Sequence, residues 1–191
     1  MLSALPPFST AGFWSKPKQQ RYKAQNLTTM TTRERSFTWQ DPIELAKAAR
    51  SLPGQEFLKK IAAGELPPPP IGEMMNFALD HLEDGRVVFT VDPAEYHYNP
   101  IGVVHGGVAA TLLDSAMGCA VHAKLAAGTF YTTLEIKVNF VRAITKDVGR
   151  LYCEASLIHL GKRTATAEGR ILDSSQRLYA HGTTTCLIQR P

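Results

Sequence analysis

A stretch of small and apolar residues, 104–124, constrains the fold more than any other part of this 191-residue chain. It opens with Gly106 and Gly107, and between residues 108 and 121 it carries one charged side chain, Asp114. A helix that is apolar on nearly every side belongs in a protein interior. At ~1.5 Å per residue, a helix of about 18 residues would be ~27 Å long, enough to cross a small domain. A membrane span is disfavoured because the stretch is short and has a carboxylate near its middle. We therefore predict a buried central helix.

The charge distribution indicates no acidic partner, although the formal net charge is +4. Residues 1–29 hold four basic residues and no acidic one, which leaves equal numbers of basic and acidic residues in the rest of the chain. This balance excludes the basic surface typical of nucleic-acid-binding proteins. The cysteines, Cys119, Cys153 and Cys186, form no CxxC pair and suggest neither a disulfide framework nor a zinc site. We expect a cytoplasmic protein without bound metal, nucleic acid or membrane.

The N-terminal third differs in composition from the remainder. Residues 1–35 are rich in Ser, Thr, Pro and Lys, so we predict a disordered tail. Basic residues without acidic ones also resemble a transit peptide. An upstream start codon, with the working start at Met30, is a further alternative. Residues 36–70 are predicted to form a helical extension that ends in a proline-rich link.

Two short helices are predicted within this extension. The first begins at Pro42, with Asp41 as its N-cap, and ends near Ser51. The second covers residues 54–61, whose apolar residues share one face. Residues 67–70 are four prolines, which favour a stiff extended segment.

Strand-like segments surround the central helix in the sequence. They cover residues 74–79, 86–91, 132–142, 151–160, 163–172 and 178–188. In the third segment, alternation predicts that Leu134, Ile136, Val138 and Phe140 face one side and that Thr133, Glu135, Lys137 and Asn139 face the other. Residues 71–191 are therefore predicted to be an α+β domain, an antiparallel sheet of five to six strands wrapped around the helix.

The glycines before the helix are candidates for a binding role. Gly106 and Gly107 let a ligand approach the backbone, and free N–H groups at a helix start favour negative charge. Such a helix end can polarise a carbonyl that becomes an oxyanion. Close packing of the helix start against a strand is the structural alternative.

Asp114 is the second candidate, as a carboxylate among apolar neighbours that would need hydrogen-bond partners. General-base catalysis would explain it, and a solvated helix face is the alternative. Seven residues of helix separate it from Gly107 by ~10.5 Å, too far for both groups to serve one carbonyl. If both act on one substrate, they come from two subunits, which predicts a dimer with interfacial sites.

Asn99 and His105 flank the loop before the helix and could bind a carbonyl or position water. A histidine beside a glycine turn more often has a structural hydrogen-bonding role than a role as a base, and this is the alternative for His105. Lys162 and Arg163 lie in a turn between two strands. They are candidates for binding a phosphate, and a solvated turn is the alternative. The histidines show no metal-ligand spacing.

The chain resembles the hotdog-fold thioesterases of the phenylacetate-pathway (PaaI-like) type, from about Pro42 to Ile188. The resemblance depends on residues 98–100 (YNP), 104–107 (VHGG), 112–118 (LLDSAMG), 131–140 (YTTLEIKVNF), 163–168 (RTATAE) and 181–185 (HGTTT). It implies hydrolysis of an acyl-coenzyme A thioester to a free acid and coenzyme A, without metal or bound cofactor. It also implies homodimers, or dimers of dimers.

The resemblance also implies roles for individual residues. Asp114 would be the general base or nucleophile. The backbone N–H of Gly106, or the Gly107 region, would polarise the thioester carbonyl, and Asn99 and His105 would orient substrate or water. A hydroxyl that assists the carboxylate in some relatives would fall at Thr133.

Two other functions fit parts of the sequence. A hotdog enoyl-CoA hydratase needs an Asp/His pair in a different motif, whereas the acid here lies well inside the central helix. A non-catalytic acyl-CoA sensor would usually carry a DNA-binding helix pair, and the two short helices of residues 36–66 are not markedly basic.

Overall fold

One antiparallel sheet of six strands forms the framework of the computed structural model, which describes residues 31–83 and 85–190. The strands are β1 (Phe77–Glu83), β2 (Arg86–Val91), β3 (Phe130–Phe140), β4 (Leu151–Leu160), β5 (Thr164–Asp173) and β6 (Leu178–Gln189). Their order across the sheet is β1-β2-β4-β5-β6-β3, so that β1 and β3 are its edges. The predicted α+β fold is confirmed.

Four α-helices accompany the sheet in the described part of the chain: α1 (Pro42–Ser51), α2 (Gly54–Ala62), α3 (Pro70–Met75) and α4 (Gly106–His122). Helix α4 is the predicted central helix. Its residues Leu113 and Met117 are fully buried. A Cβ added to Gly169 of β5 would lie 3.0 Å from Leu113 Cδ2 and 3.1 Å from Met117 Cγ. Glycine in the sheet therefore lets the helix approach closely.

Strand β3 departs from strict alternation. Its pairing with β6 shifts register between Thr133 and Glu135. A bulge adds one residue and reverses which face the following side chains occupy. The predicted faces are therefore wrong at this point, because Thr133 is half-buried and Leu134 is 58% exposed.

The N-terminal helices form a second apolar cluster. Leu45 of α1 and Phe57 and Leu58 of α2 are buried together with Ala123, just after α4. The Asp41 carboxylate accepts a hydrogen bond from the Ile43 N–H at 2.8 Å, as its predicted capping role requires.

The proline-rich link is shorter than predicted. Pro70 is the first residue of α3, and Met74 and Met75 lie in that helix rather than in a strand. Proline is favourable in a first helical turn because its φ is already fixed. Asn76, in the left-handed conformation with φ 55°, ends the helix before β1.

The chain divides into two units, Met1–Ser36 and Phe37–Pro191. Most of the predicted tail, residues 1–30, lies outside the described residues, and residues 31–36 contain no helix or strand. The boundary between a helical extension (36–70) and a hotdog domain (71–191) stays a prediction. None of the described helices combines the length and apolarity needed to span a bilayer.

Candidate active site

The N-terminus of α4 is capped by a histidine. His105 is exposed, and its Nδ1 accepts a hydrogen bond from the Gly107 N–H at 2.8 Å. Because Nδ1 is the acceptor, a neutral His105 ring carries its proton on Nε2. Among the described residues, none provides a hydrogen-bond acceptor for the Gly106 N–H. This N–H is therefore available to a ligand at the helix end.

A cleft of about 280 Å³ opens at this helix end. Its walls include Gly106, Phe140, Arg142 and Tyr179. A Cβ on Gly106 would lie 3.2 Å from Phe140 Cζ, so glycine allows the ring to lie close to the helix. The guanidinium carbon of Arg142 lies 5.9 Å from the centre of the Tyr179 ring. Sequence reasoning missed Arg142 and Tyr179, because only the sheet topology brings the end of β3 beside the start of β6.

Asp114 and Thr133 are in direct contact. Thr133 Oγ1 donates a hydrogen bond to Asp114 Oδ1 at 3.0 Å. The β3 bulge makes this contact possible, since it turns Thr133 toward the helix. Asp114 is half-buried in the single chain rather than enclosed as its apolar neighbours suggested, because the strand that it contacts, β3, is an edge of the sheet. The catalytic roles of both residues stay predictions.

The helix surface beyond Asp114 carries small side chains. Cys119 lies five residues further along α4 and is half-buried. Burial, with a smaller contribution from the Asp114 carboxylate, raises the pKa of the Cys119 thiol to about 12. The thiol is therefore neutral near pH 7, unlike a reactive thiolate nucleophile. Of these two side chains, Asp114 is therefore the one that can act as a base.

Asn99 organises the loop before α4. Its Oδ1 accepts hydrogen bonds from the Ile101 N–H at 3.1 Å and from the Val103 N–H at 3.3 Å. Such a turn uses the side-chain oxygen to hold the backbone. A direct contact of Asn99 with substrate stays a prediction.

Lys162 and Arg163 lie in the exposed turn between β4 and β5. In the neighbouring strands, Ala165 pairs with Cys186, and Cys186 pairs with Thr133. At about 4.8 Å per strand, Ala165 is ~10 Å from Thr133. The turn therefore lies at the same end of the sheet as Asp114 without contacting it, and its role in phosphate binding stays a prediction.

The candidate site has two halves, the N-terminus of α4 and the Asp114–Thr133 pair, which lie apart in one chain. Gly107 and Asp114 are seven residues apart on one continuous helix, a rise of ~10.5 Å. One carbonyl cannot contact both groups of the same chain. Within residues 31–83 and 85–190, no three His, Cys, Asp or Glu side chains are grouped so that they could hold a metal ion.

Comparisons with known proteins agree with this geometry. Residues 101–180 match the family described as the thioesterase superfamily. The 1,4-dihydroxy-2-naphthoyl-CoA hydrolase of Listeria monocytogenes is 25% identical over 118 residues, which is 62% of this chain and 94% of that protein.

Solved structures show the same fold. A conserved protein of Pseudomonas aeruginosa aligns with a TM-score of 0.60 and 28% identity, over 64% of this chain and 95% of that one. A phenylacetic acid degradation-related protein of Ralstonia eutropha aligns with a TM-score of 0.62 and 24% identity, over 68% of this chain and 98% of that one. This chain therefore has the hotdog fold, and its similarity to the thioesterase superfamily and to hydrolases of this kind identifies it as a thioester hydrolase.

Proposed function

We propose that this protein hydrolyses acyl-coenzyme A thioesters to a free acid and coenzyme A, with Asp114 as the general base. The observation that carries the proposal is the hydrogen bond from Thr133 to Asp114, which orients a half-exposed carboxylate on the central helix. The match of residues 101–180 to the thioesterase superfamily and the likeness to a CoA-thioester hydrolase support this substrate class.

The chemistry follows from the two halves of the site. Asp114 takes a proton from water while the water oxygen attacks the thioester carbon. The negative charge that forms on the carbonyl oxygen is stabilised by the Gly106 N–H and the N-terminus of α4. The proton on His105 Nε2 is a second donor at this end of the helix. The carbon–sulfur bond then breaks, and the leaving thiolate takes the proton held by Asp114.

The proposal requires two subunits. Strand β3 is a sheet edge, and an edge strand offers unpaired N–H and C=O groups to another strand. Its exposed apolar side chains include Leu134 and Phe140, which are 58% and 59% exposed. Antiparallel pairing of β3 with β3 of a second copy would cover them and bring the α4 N-terminus of one subunit toward Asp114 of the other. A dimer of dimers would keep this pairing.

The coenzyme A half of the substrate needs cationic donors for its phosphates. Lys162 and Arg163 are exposed and free to move toward a phosphate. Arg142, at the cleft beside the α4 N-terminus, is a further donor. The proposed phosphate site therefore draws on basic residues near both halves of the active site.

The test is a panel of acyl-CoA thioesters assayed for thiol release with wild type and Asp114→Asn. We expect turnover of at least one ester, reduced by about 100-fold or more in the variant, the range for loss of a positioned base. Asp147→Asn is a matched control, since that carboxylate is exposed and forms an ion pair with the neighbouring Lys146. Tight binding of the esters without any turnover would refute hydrolysis and indicate an acyl-CoA sensor.

A further inference from the structure

A buried threonine of β6 contacts the bulge in β3. Thr184 is 2% exposed, and its Oγ1 donates a hydrogen bond to the Glu135 carbonyl oxygen at 2.8 Å. Glu135 is the residue at which the pairing of β3 with β6 resumes after the register shift. A bulge locally disrupts the ladder of backbone hydrogen bonds. The Thr184 hydroxyl therefore provides a side-chain hydrogen bond at the place where the backbone pairing is irregular.

Burial alone does not explain a threonine at this position. A buried hydroxyl is unfavourable unless it has a hydrogen-bond partner, and valine has nearly the same shape without this requirement. Cys186 and Ile188, the next buried residues of β6, are apolar. Threonine at position 184 is therefore explained by what its hydroxyl holds, which is the backbone of β3 beside the bulge.

One further side chain connects Thr184 with Thr133. Cys186 lies two residues after Thr184 on β6, so that both side chains point to the same face of the sheet. Cys186 pairs with Thr133 of β3, and directly paired residues have Cβ atoms ~4.5–5.5 Å apart. The distance between Thr184 Oγ1 and Cys186 Sγ is 4.0 Å. The Cys186 thiol thus lies between the hydroxyl at the bulge and the hydroxyl that contacts Asp114.

The Cys186 thiol is neutral near pH 7. Burial raises the pKa of Cys186 and the Asp114 carboxylate raises it further, while the Thr184 and Thr133 hydroxyls act in the opposite direction. A neutral thiol packs as a small apolar group. It supports the Thr133 side chain from behind and adds no charge beside the Asp114 carboxylate.

We propose that Thr184 is a positioning residue for hydrolysis, which holds the β3 bulge so that the Thr133 hydroxyl is directed at Asp114. The inference rests on the proposed role of Asp114 as the general base. Bulges are frequent next to active sites, where they re-aim a side chain. A shift of the extra residue by one position would turn side chains to the opposite face. Thr133 Oγ1 would then lose its contact of 3.0 Å with Asp114 Oδ1.

The first test is a double-mutant cycle in the kinetics of thioester hydrolysis. Thr184→Val keeps the shape of the side chain and removes the hydroxyl. We expect it to lower kcat about threefold to tenfold with little change in KM, as for partial or complete loss of the Thr133 hydrogen bond. In a Thr133→Val background, it should change kcat by less than about twofold, because the hydroxyl that Thr184 positions is already absent. Thr184→Ser retains the hydroxyl and should restore most of kcat.

Thr185→Val is the matched control. Thr185 is the next residue of β6, and its hydroxyl also bonds to Glu135, but it donates to the side-chain Oε2 at 3.3 Å. This variant should keep kcat within about twofold of wild type. If Thr184→Val does not fold, Thr184→Cys, with a weaker donor, takes its place in the cycle. A wild-type kcat without the Thr184 hydroxyl, or equal losses of kcat in both backgrounds, would overturn the inference.

Hydrogen exchange separates this inference from the proposed function, because it needs no substrate. The protected backbone N–H groups of residues 133–136 should exchange about tenfold faster in Thr184→Val than in wild type, as expected for loss of a buried hydrogen bond. Faster exchange confined to these residues would support the role of Thr184 in holding the bulge even if no thioester is hydrolysed. Unchanged exchange, or equal acceleration throughout β4 and β5, would overturn this role even if hydrolysis is established.

Discussion

The surroundings of His122 predict how the stability of the folded protein depends on pH. The side chain is buried, its ring meets the Phe57 ring edge-on at 5.5 Å, and its Nε2 has no hydrogen-bond partner among residues 31–83 and 85–190. Burial lowers the pKa of His122, because a charged imidazolium would lose its hydration there. An unfolded chain has the ordinary histidine pKa of about 6.5.

The direction of the effect follows from proton uptake. As the pH falls below about 6.5, the unfolded state takes up a proton that the folded state does not bind. The free energy of unfolding therefore falls with pH, by at most ~1.4 kcal/mol per pH unit for one group, until the pH reaches the lowered pKa of the folded state. Above pH 7 this contribution vanishes, because both states hold a neutral ring.

The substitution His122→Leu isolates this contribution. It removes the titrating group and the unsatisfied nitrogen, whose burial costs ~1–3 kcal/mol, and keeps an apolar side chain against Phe57. We expect equal or higher stability at neutral pH and a shallower decline on acidification than in wild type. Urea unfolding at pH values about one unit above and below 6.5 measures both quantities. His159→Leu, at an exposed histidine, is the control. If wild type and His122→Leu lose stability equally on acidification, the reasoning is refuted.

Two further predictions concern the active site. Thr133→Val removes the hydrogen bond to Asp114. The loss of a hydrogen bond to a charged group, ~1.5 kcal/mol, should lower kcat roughly tenfold with little change in KM. The control is Thr132→Val, at an exposed threonine, and an unchanged kcat in Thr133→Val relative to this control would exclude a positioning role for Thr133. Asp114→Asn subunits and Gly106→Val subunits, each inactive alone, should regain up to about a quarter of wild-type activity when they are mixed. Half of the dimers would then contain one subunit of each kind, and each of these dimers would have one intact site of two. No recovery after verified subunit exchange would exclude active sites formed by two subunits.

The central helix was predictable because its signal is local and redundant. Residues 108–121 are apolar on nearly every side, and the glycines before them mark the start of α4. The start of α1 was equally clear, since Asp41 and Pro42 form a cap that needs no tertiary contact. The prolines of residues 67–70 were misleading, because proline is compatible with both an extended segment and the first turn of a helix.

Only those residues of the candidate site that stand out along the chain could be predicted from the sequence. Asp114 and the glycine pair stand out because a charge and flexible backbone are unusual around a buried helix. Arg142 and Tyr179 could not be placed, because they meet only when β3 and β6 pair. An apolar cavity between α2 and the C-terminal half of α4 was equally hidden, since Cys119 and Ile61 belong to segments that pack together without any shared motif.

The bulge in β3 connects catalysis with assembly. Regular alternation would place Leu134 against the helix and Thr133 on the outer face, so Asp114 would lose its hydroxyl partner. The extra residue reverses this arrangement, so that Thr133 contacts Asp114 and Leu134 faces outward on an edge strand. An exposed leucine on a sheet edge is unfavourable unless another surface covers it. The bulge that orients the proposed base therefore also creates the apolar edge that the proposed dimer buries. A monomer would expose this edge to water and would still lack a complete active site.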